Sequence, residues 1–381
     1  MNKLHNSYEK VKNWLISSDL FVSNTSSNDC RGVHSFYDEK TKKYSFLYPE
    51  ITGYFISTLQ FLYSQNNDSK FSQYAKYSSD WLIQIYKKFG VIIQGINSSS
   101  NNNLTFSFDS AICAKGLLDY YKMSKETLYL DYAKKILSDL LDEAIDVNGS
   151  VQPFKEISAN QYQESNQIWY KQEGCLHIKT AIPFFELYRI SGNDEYLKTA
   201  LSICDRISIY QNSDGSIRLH NNSQIINLHT LCYALEGLLY GFHETKNPAY
   251  KKICENAVDW CISQMNEDGS IPLWFNSQYN SKSGYPIAQL IRIMILLDKI
   301  DSNSNYKSST HHLYKFLLSL QASDSDPNIN GGFYEEFYKS IFGWKKRLRL
   351  NSWTSMFALQ AIYWYENFET ITFDEQINYL Y

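Results

Sequence analysis

The feature that most constrains this chain is a recurrence of helices that are apolar on nearly every side. Five read directly from the sequence: Ser110 to Tyr121, Thr180 to Tyr188, Leu228 to Phe242, Pro286 to Leu297 and Ser352 to Tyr365. A helix apolar all round must be buried all round. Between these run amphipathic helices with one charged face. In Pro248 to Met265, for example, Ile253, Ala257, Trp260, Cys261 and Gln264 trace a single stripe. The buried helices begin near Glu50, Asp109, His177, His229, Tyr285 and Asn351, an internal repeat of roughly 60 residues.

Shorter signals keep the same interval. Asn148-Gly149-Ser150, Asp214-Gly215-Ser216-Ile217 and Asp268-Gly269-Ser270-Ile271-Pro272 rhyme, and each follows an amphipathic helix. Turn and cap signals at Lys125 to Ala133, Gly192 to Ala200 and Lys246 to Lys252 open helices with an aromatic residue near the start. Each unit therefore reads as helix, tight turn, helix and a longer loop. Six units account for almost the whole chain if the helix around Tyr8 to Ile16 is the outer partner of the last inner helix. The expectation is an all-α protein, one (α/α)6 toroid domain spanning 1–381 with six inner and six outer helices. An open solenoid is the alternative, but it needs polar capping repeats, whereas a first helix without its own partner suits a ring. The Asn-rich stretch Ser98 to Asn103 reads as a loop within a repeat and not as a linker.

Composition narrows the function. With 36 Lys+Arg against 40 Asp+Glu, the formal charge is -4, and no basic excess exists to neutralise nucleic-acid phosphates. The chain carries 31 Tyr, 8 Trp and 21 Phe, as expected of a wet groove where rings supply area and hydroxyls supply hydrogen bonds. No apolar leader follows Met1 and no run is long enough to span a membrane. Seven cysteines without CxxC pairs read as reduced thiols in a cytoplasmic protein, and neither a zinc cluster nor a cofactor motif is visible.

In a closed ring the six inner helices run in one direction, so their N-termini share one end with its unpaired N–H groups and dipoles. Polar residues at these starts are the candidate site. The first offers Tyr48, Glu50 and Tyr54, and the second Asp109, either an N-cap or an acid with a raised pKa. The third offers His177 and Lys179. On the fourth, His229, Tyr233 and Glu236 fall on one helix face, which is costly unless those groups are hydrogen-bonded or used. The catalytic set expected is His229, Tyr233, Glu236, Asp109 and Glu50. Trp274, Tyr285, Gln289, Glu335, Glu336, Arg347, Arg349, Asn351 and Trp353 join Tyr48, Tyr54, His177 and Lys179 as substrate-binding residues. Glu335 to Arg349 belong to the longest insertion, expected to lack regular structure and to be functional; its arginines suit an anionic sugar.

Tyr48-Pro49-Glu50-Ile51-Thr52-Gly53-Tyr54, Phe108-Asp109, Leu228-His229-Thr230 with Tyr233-Ala234-Leu235, and Gly331-Gly332 ahead of Asn351-Ser352-Trp353 resemble an (α/α)6-toroid family of surface-polysaccharide and protein-glycosylation gene clusters. The resemblance covers about residues 30 to 366. More broadly it is similar to toroid sugar epimerases, lyases and glycoside hydrolases. It implies a carbohydrate-active enzyme of surface-glycan metabolism, with an oligosaccharide or sugar-containing substrate. Proton transfer at a sugar carbon, as in an epimerase or uronate lyase, suits His229, Tyr233, His177 and the arginines. Hydrolysis by paired carboxylates is the alternative, and a non-catalytic module binding glycan or a partner protein is another. Isoprenoid chemistry is weakened by the absence of a DxDD motif.

Overall fold

The computed structural model describes residues 3–21, 32–96, 103–159, 161–165, 168–301 and 306–381. Cys30 and most of the Asn-rich stretch, residues 98–102, lie outside them. In chain order the helices are α1 (Lys3–Ser17), α2 (Pro49–Asn66), α3 (Ser69–Phe89), α4 (Ser107–Ser124), α5 (Thr127–Glu143), α6 (Ala181–Ser191) and α7 (Asp194–Asp205). They continue as α8 (Leu228–Thr245), α9 (Pro248–Ser263), α10 (Gly284–Ile300), α11 (Lys307–Ser319), α12 (Ser352–Glu366) and the short α13 (Phe373–Gln376).

The chain forms two compact units. One holds Phe46–Ile209 with the segment up to His34 and Tyr381. Here α2 pairs with α3, α4 with α5 and α6 with α7, while α2 packs on α4 and α4 on α6. The other holds Tyr210–Leu380, Ser35–Ser45 and the N-terminal segment through Phe21. In it α8 pairs with α9, α10 with α11 and α12 with α1, while α10 packs on both α8 and α12. The helix predicted around Tyr8 to Ile16 is therefore the outer partner of the last inner helix, as the repeat required. In both units the all-apolar helices form the core: Leu231, Leu235 and Leu238 of α8 and Ile287, Leu290 and Ile291 of α10 are wholly excluded from solvent. Burying one such side chain contributes about 1.5–3 kcal/mol.

The glycine turns explain how neighbouring repeats dock. In each, an Asn or Asp side chain accepts the N–H of the serine two residues on, at 3.0 Å from Asn148, Asp214 and Asp268. The glycine between sits at φ 79° to 91°, and its missing Cβ makes room for an outer-helix carbonyl, that of Ser202, Asn256 or His312. Gly331, at φ 99°, repeats the arrangement against Lys10 of α1.

Short antiparallel ladders lead into the inner helices. The strands are β1 (Phe36–Asp38), β2 (Lys43–Tyr44), β3 (Leu104–Phe106), β4 (Phe154–Glu156), β5 (Ile226–Asn227), β6 (Trp274–Phe275), β7 (Ser281–Ser283), β8 (Glu336–Ser340), β9 (Gly343–Lys346) and β10 (Arg349–Asn351). β10, β1 and β2 form one sheet and β7, β8 and β9 another, while β3 pairs with β4 and β5 with β6. The insertion expected to lack regular structure is thus a β-hairpin, β8–β9, joined to β7. The third inner helix also departs from expectation. Cys175–Thr180, which carries His177, is a 3₁₀ helix, and the α-helix starts at Ala181. Pro183 explains this, since it offers no N–H to the Lys179 carbonyl and its ring crowds it, so an α-helical ladder cannot run back through this turn.

Candidate active site

In the unit built on α2 to α7, a carboxyl pair stands at two inner-helix starts. Pro49 opens α2 and Glu50 follows in its first turn; Asp109 occupies the first turn of α4. Tyr48, in extended backbone ahead of α2, hydrogen-bonds both carboxyl groups. Glu50 and Tyr48 are half-buried, whereas Asp109 is 5% exposed and its Oδ2 has no hydrogen-bond partner among the described residues. Such a buried oxygen is costly as an anion. Burial, then the charge of Glu50, pushes the Asp109 carboxyl well above the usual range, against the Tyr48 hydrogen bond. Burial also raises Glu50 to about 7, opposed by Tyr48 and by the charge of Lys179.

Lys179 is 1% exposed, and its ammonium lies 4.9 Å from the centre of the buried Tyr54 ring. His177 is buried too and contacts the Gly174 backbone. Of these three residues Lys179 acts on the pair directly, through its charge on Glu50.

The unit built on α8 to α12 holds a second constellation. His229 lies in the first turn of α8, its N–H accepted by the Asn227 cap. Its ring contacts Tyr233 at 4.1 Å and Tyr285 at 4.6 Å, and Tyr285 reaches Trp353 at 6.1 Å between centroids. His229, Tyr285 and Trp353 are half-buried. Behind them runs a buried polar chain. His229 Nδ1 meets Gln289 Oε1 at 2.5 Å, and Gln289 Nε2 donates to Glu236 Oε2 at 3.2 Å. Arg292 Nη2 donates to Glu236 Oε1 at 2.6 Å and Nη1 to Gln360 Oε1 at 2.8 Å. The Glu236, Gln289, Arg292 and Gln360 residues are all fully buried. Only the amide nitrogen of Gln289 can donate to the carboxylate, so its oxygen faces His229, which puts an imidazole proton on Nδ1.

Beside Tyr285 stand Glu335 and Glu336. Glu336 is buried and held by Ser283 Oγ at 2.9 Å and Arg347 Nε at 2.8 Å. Glu335 is half-buried; burial and then its neighbour Glu336 lift it to about 7, against Arg347 and Arg349. Trp274 is half-buried on β6, 5.9 Å from Tyr279. Arg349 lies 3.6 Å from Asp38 and over the Phe36 ring. Asn351 is fully buried as the N-cap of α12, accepting from Thr354 N–H at 2.9 Å.

Sequence reasoning passed over Arg292 and Gln360, and also a buried cluster of Lys115, Asp119, Lys122 and Glu186 with contacts of 2.6 to 3.3 Å. The signal was available: a charge inside an all-apolar helix has to be paired. Among the described residues no group of three His, Cys, Asp or Glu is arranged to hold a metal ion.

No family model and no curated protein matches the chain. Solved structures do. A D-mannose isomerase superposes with a TM-score of 0.75 at 13% identity, over 97% of each chain. An unsaturated glucuronyl hydrolase specific for heparin gives 0.72 at 12%, covering 97% of this chain and 98% of its own. The cellobiose 2-epimerase of Bacillus thermoamylovorans gives 0.73 at 12%, covering 95% and 98%. At such identities the likeness carries the fold: the chain is an all-α (α/α)6 toroid of six inner and six outer helices.

Proposed function

We propose that this chain, read as a single toroid domain, is a carbohydrate-active enzyme of surface-glycan metabolism that cleaves a glycosidic bond by general acid–base catalysis. The observation that carries this reading is the Asp109–Glu50 pair. Two adjacent carboxyls whose environments push both pKa values upward are what an acid and a base working near neutrality need. Asp109, whose carboxyl burial and the charge of Glu50 push upward, is the group suited to supply the proton to the leaving oxygen. Glu50, ionised at and above about pH 7, takes the complementary role of base or nucleophile. Tyr48 links the two and keeps them in register. The half-exposed Tyr48 and Glu50 leave the pair open to substrate, while buried Tyr54 and Lys179 position it.

Support from relatives is of one kind: the toroids it resembles are named for glucuronyl hydrolysis, mannose isomerisation and cellobiose epimerisation. The six described free cysteines, all buried, agree with a reducing, cytoplasmic setting. The reading is tested by assaying sugar release from an oligosaccharide panel that includes unsaturated uronyl substrates. Asp109→Asn and Glu50→Gln should each lower kcat by ~10² to 10⁴ with the fold retained. Full activity in either variant would overturn the assignment.

A second reading has its own support. The relay from Arg292 through Glu236 and Gln289 holds a proton on His229 Nδ1, which in the neutral ring leaves Nε2 to abstract a proton from a sugar carbon. Glu335 flanks the same Tyr285 and titrates near neutrality, so it suits the return of that proton in an epimerase or isomerase. In this reading Glu236 positions the imidazole and does not touch substrate.

A further inference from the structure

The β8–β9 hairpin is built against the preferences of its own turn. Lys339 pairs with Trp344 and Ser340 with Gly343, so Ile341 and Phe342 form the two-residue tip. Such tips favour Gly, Asn and Asp. Gly343 alone takes the left-handed conformation, at φ 98°, so the backbone makes no demand for an apolar residue at either tip position. Yet Ile341 is 93% exposed and Phe342 81%. Trp344, at 39%, and Leu348, at 43%, are exposed as well.

Cations surround that surface. From Lys339 to Arg349 the chain carries five Lys and Arg and no acid, in a protein whose net charge is -4. Arg347 and Arg349 turn to Glu336 and Asp38. Lys339, Lys345 and Lys346 meet no acidic partner among the described residues. Instead Lys339 lies over Trp344 at 5.3 Å and Lys345 over Phe342 at 5.1 Å, while Lys346 lies between Tyr334 at 4.4 Å and Phe337 at 5.7 Å. Lys282 of β7 also lies over Trp344, at 4.7 Å. Ammonium groups gathered over aromatic rings beside an exposed apolar tip combine the residue types that a membrane interface selects. The tip enters the acyl boundary, the tryptophan sits at headgroup level and the lysines meet anionic phosphates.

We propose that the β8–β9 hairpin docks this protein onto an anionic phospholipid bilayer surface, without crossing it. A flat stacking platform for a soluble acidic glycan would not need a protruding isoleucine, and that is what favours the bilayer. The proposal is independent of the reaction assigned above.

Co-sedimentation with phosphatidylcholine vesicles, with and without phosphatidylglycerol, tests it. The full-length protein should pellet with the anionic vesicles and stay in the supernatant with phosphatidylcholine alone. Salt of about 1 M, where screening is complete within ~3 Å, should release it. Ile341→Ser and Phe342→Ser should each lower vesicle partitioning about tenfold or more, and Lys345→Glu with Lys346→Glu by a similar factor, with circular dichroism unchanged. Failure to bind anionic vesicles at low salt would overturn the proposal. So would vesicle binding that both tip variants leave intact, tip-independent binding to a soluble polyanionic glycan in its place, or tip variants that change only self-association.

Discussion

Glu236 and Arg292 face each other at 2.6 Å with neither side chain exposed. The two residues lie on neighbouring inner helices, α8 and α10, and their contact ties together the repeats that carry His229 and Tyr285. Removing one partner of a buried ion pair strands the other charge, a cost of about 3–5 kcal/mol. Arg292→Met should therefore destabilise the protein by about that amount in urea denaturation, and Arg292→Met with Glu236→Gln should recover much of the loss.

The same relay governs the imidazole. Gln289→Leu removes the acceptor at Nδ1, and nitrogen-15 NMR should then show a mixture of His229 tautomers, where the unmodified protein shows Nδ1 protonated. A tautomer distribution unchanged by Gln289→Leu would mean that the relay does not set it.

Glycine turns offer a graded stability test. At Gly215 and Gly269 an added Cβ would lie 2.5 and 2.2 Å from a neighbouring carbonyl oxygen, and both residues have positive φ. At Gly192 the conformation is similarly left-handed but nothing among the described residues lies within 4 Å of an added Cβ. Gly192→Ala should cost ~1–2 kcal/mol from backbone strain alone. Gly215→Ala and Gly269→Ala should cost clearly more, since an outer helix must move as well.

Stability should also fall as pH rises through the weakly acidic range. Glu50 and Glu335 have folded-state values near 7, raised from 4.5, so between about pH 4.5 and 7 the native state binds more protons than the unfolded one. Their contribution is greatest below that window and is lost as pH rises through it. Glu50→Gln and Glu335→Gln should each become more stabilising relative to the parent protein from pH 5 to pH 8 in parallel urea titrations.

Much of this was legible before the structure. Helices apolar on every side can only be inner, so the six starts emerged close to where they are, and a first helix without a partner pointed to α1 packing on α12. Polar residues at those starts, Glu50, Asp109, His229 and Tyr285, were visible for the same reason. What stayed hidden depends on pairing across repeats. Arg292 has its partners Glu236 and Gln360 on different helices, and no local pattern links the three. The β8–β9 hairpin escaped notice because Ile341-Phe342 is no turn signal. Asn351 was read as a substrate contact, but its side chain caps α12, and only the positions of neighbouring N–H groups could reveal that.

The carboxyl pair can be examined without a substrate. Carbon-13 NMR of the Asp and Glu side-chain carboxyls, assigned with Asp109→Asn and Glu50→Gln, should find Asp109 titrating well above the ordinary carboxyl range and Glu50 close to 7. Both groups ionising together near the ordinary carboxyl value of about 4 would contradict the acid–base pair on which the proposed reaction stands.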